Sequence, residues 1–351
     1  MVSVYVASPE PYAGKTLTCI VLGKRWQQHG RKVGYFKPLG ILPAIAERQL
    51  ADEDARFVAR ELNIDMPSSQ LCPVLIGQQA CPIEADAARA EVLEAYAAVS
   101  AGKEVMLIGG SGALLSRGVT LGLDGPSVAE MLDAKVLLVA RVESYLDLDG
   151  IVACQRALGY RLLGVIVNRA PARLWDTVQH EIVPCLEQFG ITVFGVLPDD
   201  AVLRSVSVRE LVEVIGGEIL AGAGAADELV ESFVVGAMGV NAALRYFRQT
   251  PRKCVITGGD RSDIQLAALE TPTRCLVLTG GLQPSPAVVA RARDLGIPLV
   301  LVRQDTLTII SVIEQLLGKL RLREPKKIAH ALDEFTGHLD LPMLDDMLGL
   351  T

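Results

Sequence analysis

The stretch SPEPYAGKT near the start of the chain has the residue types of a loop that binds nucleoside triphosphates. In the pattern G-x-x-x-x-G-K-[ST], backbone N–H groups cradle the phosphates, the lysine reaches the outer phosphates and the hydroxyl binds magnesium. Gly14, Lys15 and Thr16 supply the second half of this pattern, but Pro9 replaces its first glycine. Pro9 and Pro11 carry no N–H group, so the loop offers fewer donors. Because a lysine in the first helical turn opposes the helix dipole, the sequence favours an anion here over a plain strand-to-helix turn.

Further polar side chains are expected at the same edge of the fold. Lys37 follows the predicted strand KVGYF at its carboxyl end, and Pro38 enforces an extended exit from it. Ligands of open parallel sheets bind at the carboxyl ends of strands. Asp52 and Asp54 begin the next helical segment, where capping is their simplest role, and Asn168 follows the strand LLGVIV.

Alternating strands and helices predict an α/β fold in which helices cover a parallel sheet. Six strands are predicted in the first part of the chain, namely VSVYVA, KVGYF, EVMLIG, KVLLVA, LLGVIV and ITVFGV. A stretch rich in small residues, 216–229, predicts a linker or domain joint, after which SFVVGAM, KCVIT, CLVLT and PLVLV form a smaller α/β series. The predicted domains are therefore 1–215 and 216–322, followed by a C-terminal tail, 323–351, that serves packing or an interface.

These motifs together resemble the dethiobiotin synthetase-like P-loop domain, most closely the version at the N-terminus of long phosphate acetyltransferases. In the smaller domain, VITGGDRSDIQLAAL and LVLTGGLQPSP are similar to the DRTGG domain that follows it in those proteins. The resemblance covers nearly the whole chain. The chain ends where the catalytic acetyltransferase domain of those proteins would begin, so acetyltransferase activity is not expected from it.

The resemblance implies roles for individual residues. Lys15 and Thr16 match the phosphate-binding lysine and the hydroxyl that binds magnesium. Lys37 matches a second active-site lysine, Asp54 a magnesium carboxylate, and Asn168 the residue that reads the base of ATP or another nucleotide.

One position departs from the family. Gly109 stands where the synthetases carry a glutamate that completes the magnesium shell, although Asp124, otherwise a turn or capping residue, could substitute for it. Magnesium usually takes one or two carboxylates together with phosphates and water. We therefore expect magnesium to bind poorly.

The smaller domain has a candidate crevice of its own. Asp260, Arg261, Gly280 and Gly281 follow successive predicted strands, so they should gather at one sheet edge. Arg261 could hold a phosphate or carboxylate through two parallel hydrogen bonds. The equally acceptable alternative is that Asp260, Ser262 and Thr306 cap helices and Arg261 forms a structural ion pair.

Composition excludes several partners. The net charge of −7 gives no basic face for nucleic acid, and no apolar run is long enough to span a membrane. The seven cysteines are widely spaced and predict reduced core thiols. The N-terminus lacks the features of a secretory signal, which predicts a cytoplasmic protein. Unpaired edge strands predict a homo-oligomer.

Three functions remain open at this point. The first is a regulatory protein that binds a small phosphate-containing ligand and has little or no catalytic activity, with a protein partner as a further possibility. The second is an ATP-dependent enzyme of the synthetase type that acts on a carboxylate. The third is a structural subunit without a ligand. Pro9 and Gly109 weigh against the second function, so the sequence favours the first.

Overall fold

The computed structural model describes residues 1–41, 44–46, 49–76, 84–318 and 325–350. Its contacts divide the chain into two compact units, one comprising Met1–Asp199 with Leu322–Thr351 and the other comprising Asp200–Arg321. The boundaries predicted from the sequence, 215/216 and 322/323, stay predictions.

The strands and helices alternate through most of the chain. The strands are β1 Val2–Ala7, β2 Val33–Phe36, β3 Leu39–Ile41, β4 Ala44–Ala46, β5 Gln49–Ala51, β6 Val74–Ile76, β7 Val105–Gly109, β8 Lys135–Arg141, β9 Leu162–Ala170, β10 Val193–Pro198, β11 Val206–Ser207, β12 Glu218–Ala221, β13 Leu229–Val230, β14 Ser232–Val235, β15 Lys253–Gly258, β16 Thr273–Thr279 and β17 Leu299–Leu301. The helices are α1 Lys15–Gln28, α2 Glu53–Glu61, α3 Ser68–Leu71, α4 Ala85–Ser100, α5 Gly125–Met131, α6 Asp147–Leu158, α7 Trp175–Thr177, α8 Val183–Gln188, α9 Ala201–Arg204, α10 Val208–Ile215, α11 Val240–Gln249, α12 Ser262–Leu269, α13 Pro286–Asp294, α14 Thr306–Gly318, α15 Pro325–His338 and α16 Leu341–Met347.

The first unit is built on a six-stranded sheet in the order β10-β9-β8-β1-β7-β2. All neighbouring strands run parallel. β1 lies in the middle and is almost entirely buried, as expected of a strand covered on both faces. The six strands predicted from the sequence form this sheet, so the predicted fold class is confirmed.

The C-terminal helices return to the first unit. The carboxylate of Asp345 in α16 accepts hydrogen bonds from Trp26 Nε1 at 2.7 Å and from an Arg25 Nη at 2.9 Å. Leu339 forms an antiparallel bridge with Gly195. The described part of the tail therefore packs against α1 and β10 of its own unit.

The second unit contains a five-stranded sheet in the order β12-β17-β16-β15-β14. β14 to β17 run parallel, while β12 pairs antiparallel with β17. The predicted linker 216–229 is thus wrong in part, because β12 lies inside it and forms a sheet edge. β12 was not recognised in this segment of small residues because four residues are too few to show a clear alternation of apolar and polar side chains.

Two findings bear on the environment of the protein. Six cysteines are free in the part of the chain that the structure describes, and five of them are buried, which agrees with the expected core thiols. Cys81 lies outside the described residues. Within the described ranges, every helix is too short or too polar to cross a membrane.

Candidate functional site

The loop between β1 and α1 is shaped by Gly14 and Asn168. Gly14 adopts φ 111°, a conformation that side chains rarely tolerate. A Cβ added to Gly14 would lie 2.3 Å from Asn168 Nδ2, and this nitrogen donates a hydrogen bond to the Ala13 carbonyl oxygen at 2.8 Å. Asn168, which the resemblance assigns to the base, is therefore used here to support the backbone of the loop. The sequence pattern gave no sign of this contact.

Lys15 is buried, and its ammonium group is held by the surrounding loops. Nζ donates to Ser8 Oγ at 2.7 Å, to the Gly112 carbonyl at 2.9 Å and more weakly to the Glu10 carbonyl at 3.4 Å. All three acceptors are neutral oxygens. Burial, followed by the nearby charge of Lys37, lowers the pKa of Lys15 to about 8. The charges of Asp54 and Glu10 act in the opposite direction, but within the described ranges neither carboxylate forms an ion pair with Lys15.

Glu10 fixes the loop to the end of β8. Its Oε1 accepts hydrogen bonds from the Arg141 backbone N at 3.0 Å and from Arg141 Nε at 3.1 Å. The Glu10 carbonyl also accepts a short hydrogen bond from Ser8 Oγ. Pro9 and Pro11 stiffen the turn on either side of Glu10, and this ion pair connects the turn to β8. Sequence reasoning missed both Ser8 and Glu10, because neither belongs to the phosphate-loop pattern.

Lys37 differs from Lys15 in having carboxylate partners. Its Nζ lies 2.8 and 2.9 Å from the two oxygens of Asp52, and 3.2 Å from Asp54 Oδ2. Burial alone would lower the pKa of Lys37, but the charges of Asp54 and Asp52 outweigh it and the net pKa is raised. Asp52 also caps α2 by accepting from Ala55 N at 2.8 Å. Its expected capping role is therefore confirmed.

The position beside Gly109 is filled. A Cβ added to Gly109 would lie 2.3 Å from the hydroxyl oxygen of Tyr35. The carboxylate of Asp124 caps α5. It accepts hydrogen bonds from Ser127 N at 3.2 Å and from Ser127 Oγ at 2.8 Å.

A magnesium ion fits these residues poorly. Asp52 is taken by Lys37 and by the helix cap, and Gly109 offers no side chain. Of the expected ligands, the partly exposed Thr16 and the exposed Asp54 remain, and Asp54 already contacts Lys37. The site therefore depends on ammonium groups for its positive charge.

The second unit brings its predicted residues to one sheet edge. Gly258 pairs with Thr279, so the segments carrying Asp260 with Arg261 and Gly280 with Gly281 leave the sheet side by side. Asp260, Gly280 and Gly281 are exposed.

The guanidinium group of Arg261 forms hydrogen bonds within the second unit. Its Nε and one Nη donate to the two carboxylate oxygens of Asp263 at 3.1 and 3.2 Å, and the same Nη donates to the Met238 carbonyl at 3.2 Å. This is the ion pair of the structural alternative that the sequence left open. The cap that this alternative assigned to Asp260 is wrong, because Arg261 stands at the N-cap of α12 and no side chain among the described residues caps that helix.

Comparison with known proteins identifies both units. Residues 2–207 match the profile of an AAA domain, AAA_26, and residues 210–316 match that of the DRTGG domain. The chain belongs to the AAA_26 family. The AAA domain coincides with the six-stranded sheet and carries the loop with Lys15, and the DRTGG domain carries Arg261. The predicted resemblance is confirmed, since the chain contains a P-loop AAA domain followed by a DRTGG domain.

Phosphate acetyltransferases are similar to the chain along nearly its whole length. The enzyme of Nitratidesulfovibrio vulgaris is 25% identical over 378 aligned positions, covering 99% of this chain and 51% of the enzyme. That of Synechocystis sp. is 23% identical over 359 positions, covering 96% and 50%. The chain thus spans about half the length of these curated relatives, corresponding to their N-terminal half.

A solved structure is also similar in part. It contains the CBS and DRTGG domains of the regulatory region of Clostridium perfringens pyrophosphatase, complexed with the activator diadenosine tetraphosphate. The identity is 24%, the coverage is 33% of this chain and 48% of that chain, and the TM-score is 0.29. A likeness this small carries no functional argument.

Proposed function

We propose that the AAA domain binds the phosphate groups of a nucleotide or a related small ligand at the loop before α1, and that the protein is regulatory with little or no catalysis. The observation that carries this proposal is the environment of Lys15. Among the described residues no carboxylate forms an ion pair with Lys15, although its ammonium is buried and lies at the start of α1. A buried charge is costly unless it is paired, and helix N-termini favour anions. A ligand phosphate would supply the missing negative charge.

Three features support the proposal that the protein has little catalytic activity. The two prolines of the loop reduce the number of N–H donors, Tyr35 fills the place next to Gly109, and Lys37 is already bonded to two carboxylates. Phosphoryl transfer depends on positioned cations that neutralise the developing charge. With metal ligation poor and Lys37 engaged, the site suits binding better than turnover.

The relation to phosphate acetyltransferases supports a regulatory role. The shared region makes up about half of those enzymes. We propose that in this chain it responds to a ligand and does not transfer acetyl groups. Buried free thiols are typical of reducing compartments, which supports a cytoplasmic location.

We also propose a homo-oligomer. β12 and β14 are the two outer strands of the DRTGG-domain sheet, and proteins commonly cover such edges by symmetric pairing. Light scattering at tens of micromolar tests this: a mass of at least two chains is expected, and a monomer would rule it out.

A thermal-shift screen tests the proposed binding. The ligands are ATP, ADP, AMP and pyrophosphate, each with magnesium and with EDTA. We expect at least one of them to raise the melting temperature of the wild type to a similar degree under both conditions, because a ligand that binds only the folded state stabilises it.

Two substitutions in α1 make the screen specific. Lys15→Met should abolish the shift, while Lys24→Met removes an equal charge from the same helix and should leave it intact. Absence of any shift would favour the structural subunit. A shift that requires magnesium would favour the synthetase-type enzyme.

A further inference from the structure

Ser8 and Gly112 offer Lys15 the kind of oxygen contacts that a phosphate would offer. The Ser8 side chain is fully buried, and its Oγ lies 2.7 Å from Lys15 Nζ. The Gly112 carbonyl lies 2.9 Å from the same nitrogen. An ammonium group has three donors and accepts nothing, so together with the weak Glu10 contact these bonds use its full capacity.

We infer that Ser8 and Gly112 form an internal lock on Lys15, which a ligand phosphate must displace in order to bind. The inference rests on the proposed function. Lys15 cannot keep all three loop bonds while it donates to a phosphate oxygen. The exchange is favourable because hydrogen bonds from an ammonium to a charged oxygen are stronger than those to a neutral one. Ser8 is thus a positioning residue that opposes binding.

Displacement of the Lys15 side chain would remove a hydrogen bond from the segment 110–118. Three hydrogen bonds connect this segment to the phosphate loop. The Gly112 carbonyl accepts from Lys15 and, at 3.5 Å, from Ser8 Oγ, and the Leu114 N–H donates to the Ser8 carbonyl at 2.8 Å. Arg117 lies across Gly112, because a Cβ added there would lie 2.5 Å from Arg117 Cγ. Release of Gly112 therefore loosens the segment next to Arg117, which is exposed. Occupancy of the loop is converted into a change at the surface.

The lock predicts that a substitution inside the loop increases affinity. Ser8→Ala removes one acceptor of Lys15 and also the bond that Ser8 Oγ donates to the Glu10 carbonyl. In the inferred bound state Lys15 donates to the phosphate in place of Ser8, so the lost acceptor is one that only the free protein uses. Calorimetry with pyrophosphate in EDTA should therefore show binding about three- to tenfold tighter than in the wild type.

Ser111→Ala is the matched control. Ser111 Oγ, in the same segment, donates to the Leu39 carbonyl and is not among the acceptors of Lys15 Nζ. Its affinity should equal that of the wild type. Equal or weaker binding by Ser8→Ala, or equal tightening by both variants, would overturn the lock while leaving the proposed function standing. Absence of pyrophosphate and ATP binding in every variant would overturn the proposed function, and the lock with it.

Limited trypsin digestion of the wild type gives a second test that needs no variant. Pyrophosphate should accelerate cleavage after Arg117, measured by mass spectrometry, relative to cleavage after the exposed Arg248 of the DRTGG domain. If saturating pyrophosphate leaves cleavage after Arg117 unchanged, the lock is wrong.

Discussion

The hydroxyl of Tyr35 occupies the space into which any side chain at Gly109 would project. A Cβ at Gly109 would lie 2.3 Å from the hydroxyl oxygen and 3.1 Å from Cζ. Tyr35 is almost completely buried, and burial raises the pKa of its hydroxyl well above the usual value. A neutral hydroxyl thus stands where a metal-binding carboxylate is expected from the resemblance.

This pair predicts a coupled stability effect. Gly109→Ala should destabilise the protein by about 1–3 kcal/mol through overpacking. Tyr35→Phe in the same chain should recover part of that loss, because the closest atom is removed. Urea unfolding of both single variants and the double variant measures the coupling. Additive effects would show that the two residues do not compete for the same space.

Lys37 is predicted to stabilise the fold through Asp52. Lys37→Met leaves the Asp52 carboxylate buried without its partner and should cost about 3–5 kcal/mol. Asp52→Asn added to Lys37→Met should restore much of the stability, since asparagine still caps α2. Denaturant titration of the two variants tests this. A loss below about 1 kcal/mol for Lys37→Met would contradict a structural role for the pair.

Lys253 predicts a pH-dependent stability of the DRTGG domain. Its side chain is fully buried and Nζ has no hydrogen-bond partner among the described residues. Nζ lies over the ring of Phe247, 5.7 Å from its centre. Burial lowers the pKa of Lys253 to about 8. Below pH 8 the lysine is charged in both the folded and the unfolded state, so the full desolvation cost destabilises the fold.

Lys253→Met should therefore raise the melting temperature at pH 7. Between the folded-state pKa of about 8 and the unfolded value of about 10.5, the wild type gains stability as pH rises, because only its unfolded state still holds the proton. The advantage of the variant should shrink over that window. Arg248→Met, an exposed change on the same helix as Phe247, serves as the control. A gain independent of pH would show that the charge is not its cause.

Arg261 is predicted to be structural. Arg261→Lys cannot reproduce the two-bond contact with Asp263, so the melting temperature should fall. Phosphate binding in the AAA domain should not change. Calorimetry and differential scanning fluorimetry on this one variant separate the two roles. A tenfold loss of ligand affinity at unchanged melting temperature would instead make Arg261 a ligand residue.

Sequence patterns predicted the sheets better than the contacts inside the site. Runs rich in β-branched residues, such as β1 and β9, are buried on both faces. A strand of this kind can be recognised from its apolar residues alone. β12 was not predicted because its four residues lie in a stretch rich in glycine and alanine. The partners of Lys15 and Asn168 could not be predicted either, because three of the four acceptors are backbone carbonyls, which every residue has, and the fourth, Ser8 Oγ, lies outside the phosphate-loop pattern.

The central claim is that Lys15 attracts a ligand phosphate without help from a metal. Calorimetry with ATP, in EDTA and in magnesium, tests it most directly on the wild type, Lys15→Ala and the control Lys24→Ala. A charged hydrogen bond of this kind contributes about 1.5–3 kcal/mol, so Lys15→Ala should weaken binding roughly ten- to a hundredfold, and Lys24→Ala should match the wild type. Magnesium should change the wild-type affinity little. Equal binding by Lys15→Ala, or tight binding that requires magnesium and is followed by turnover on a carboxylate, would contradict the account.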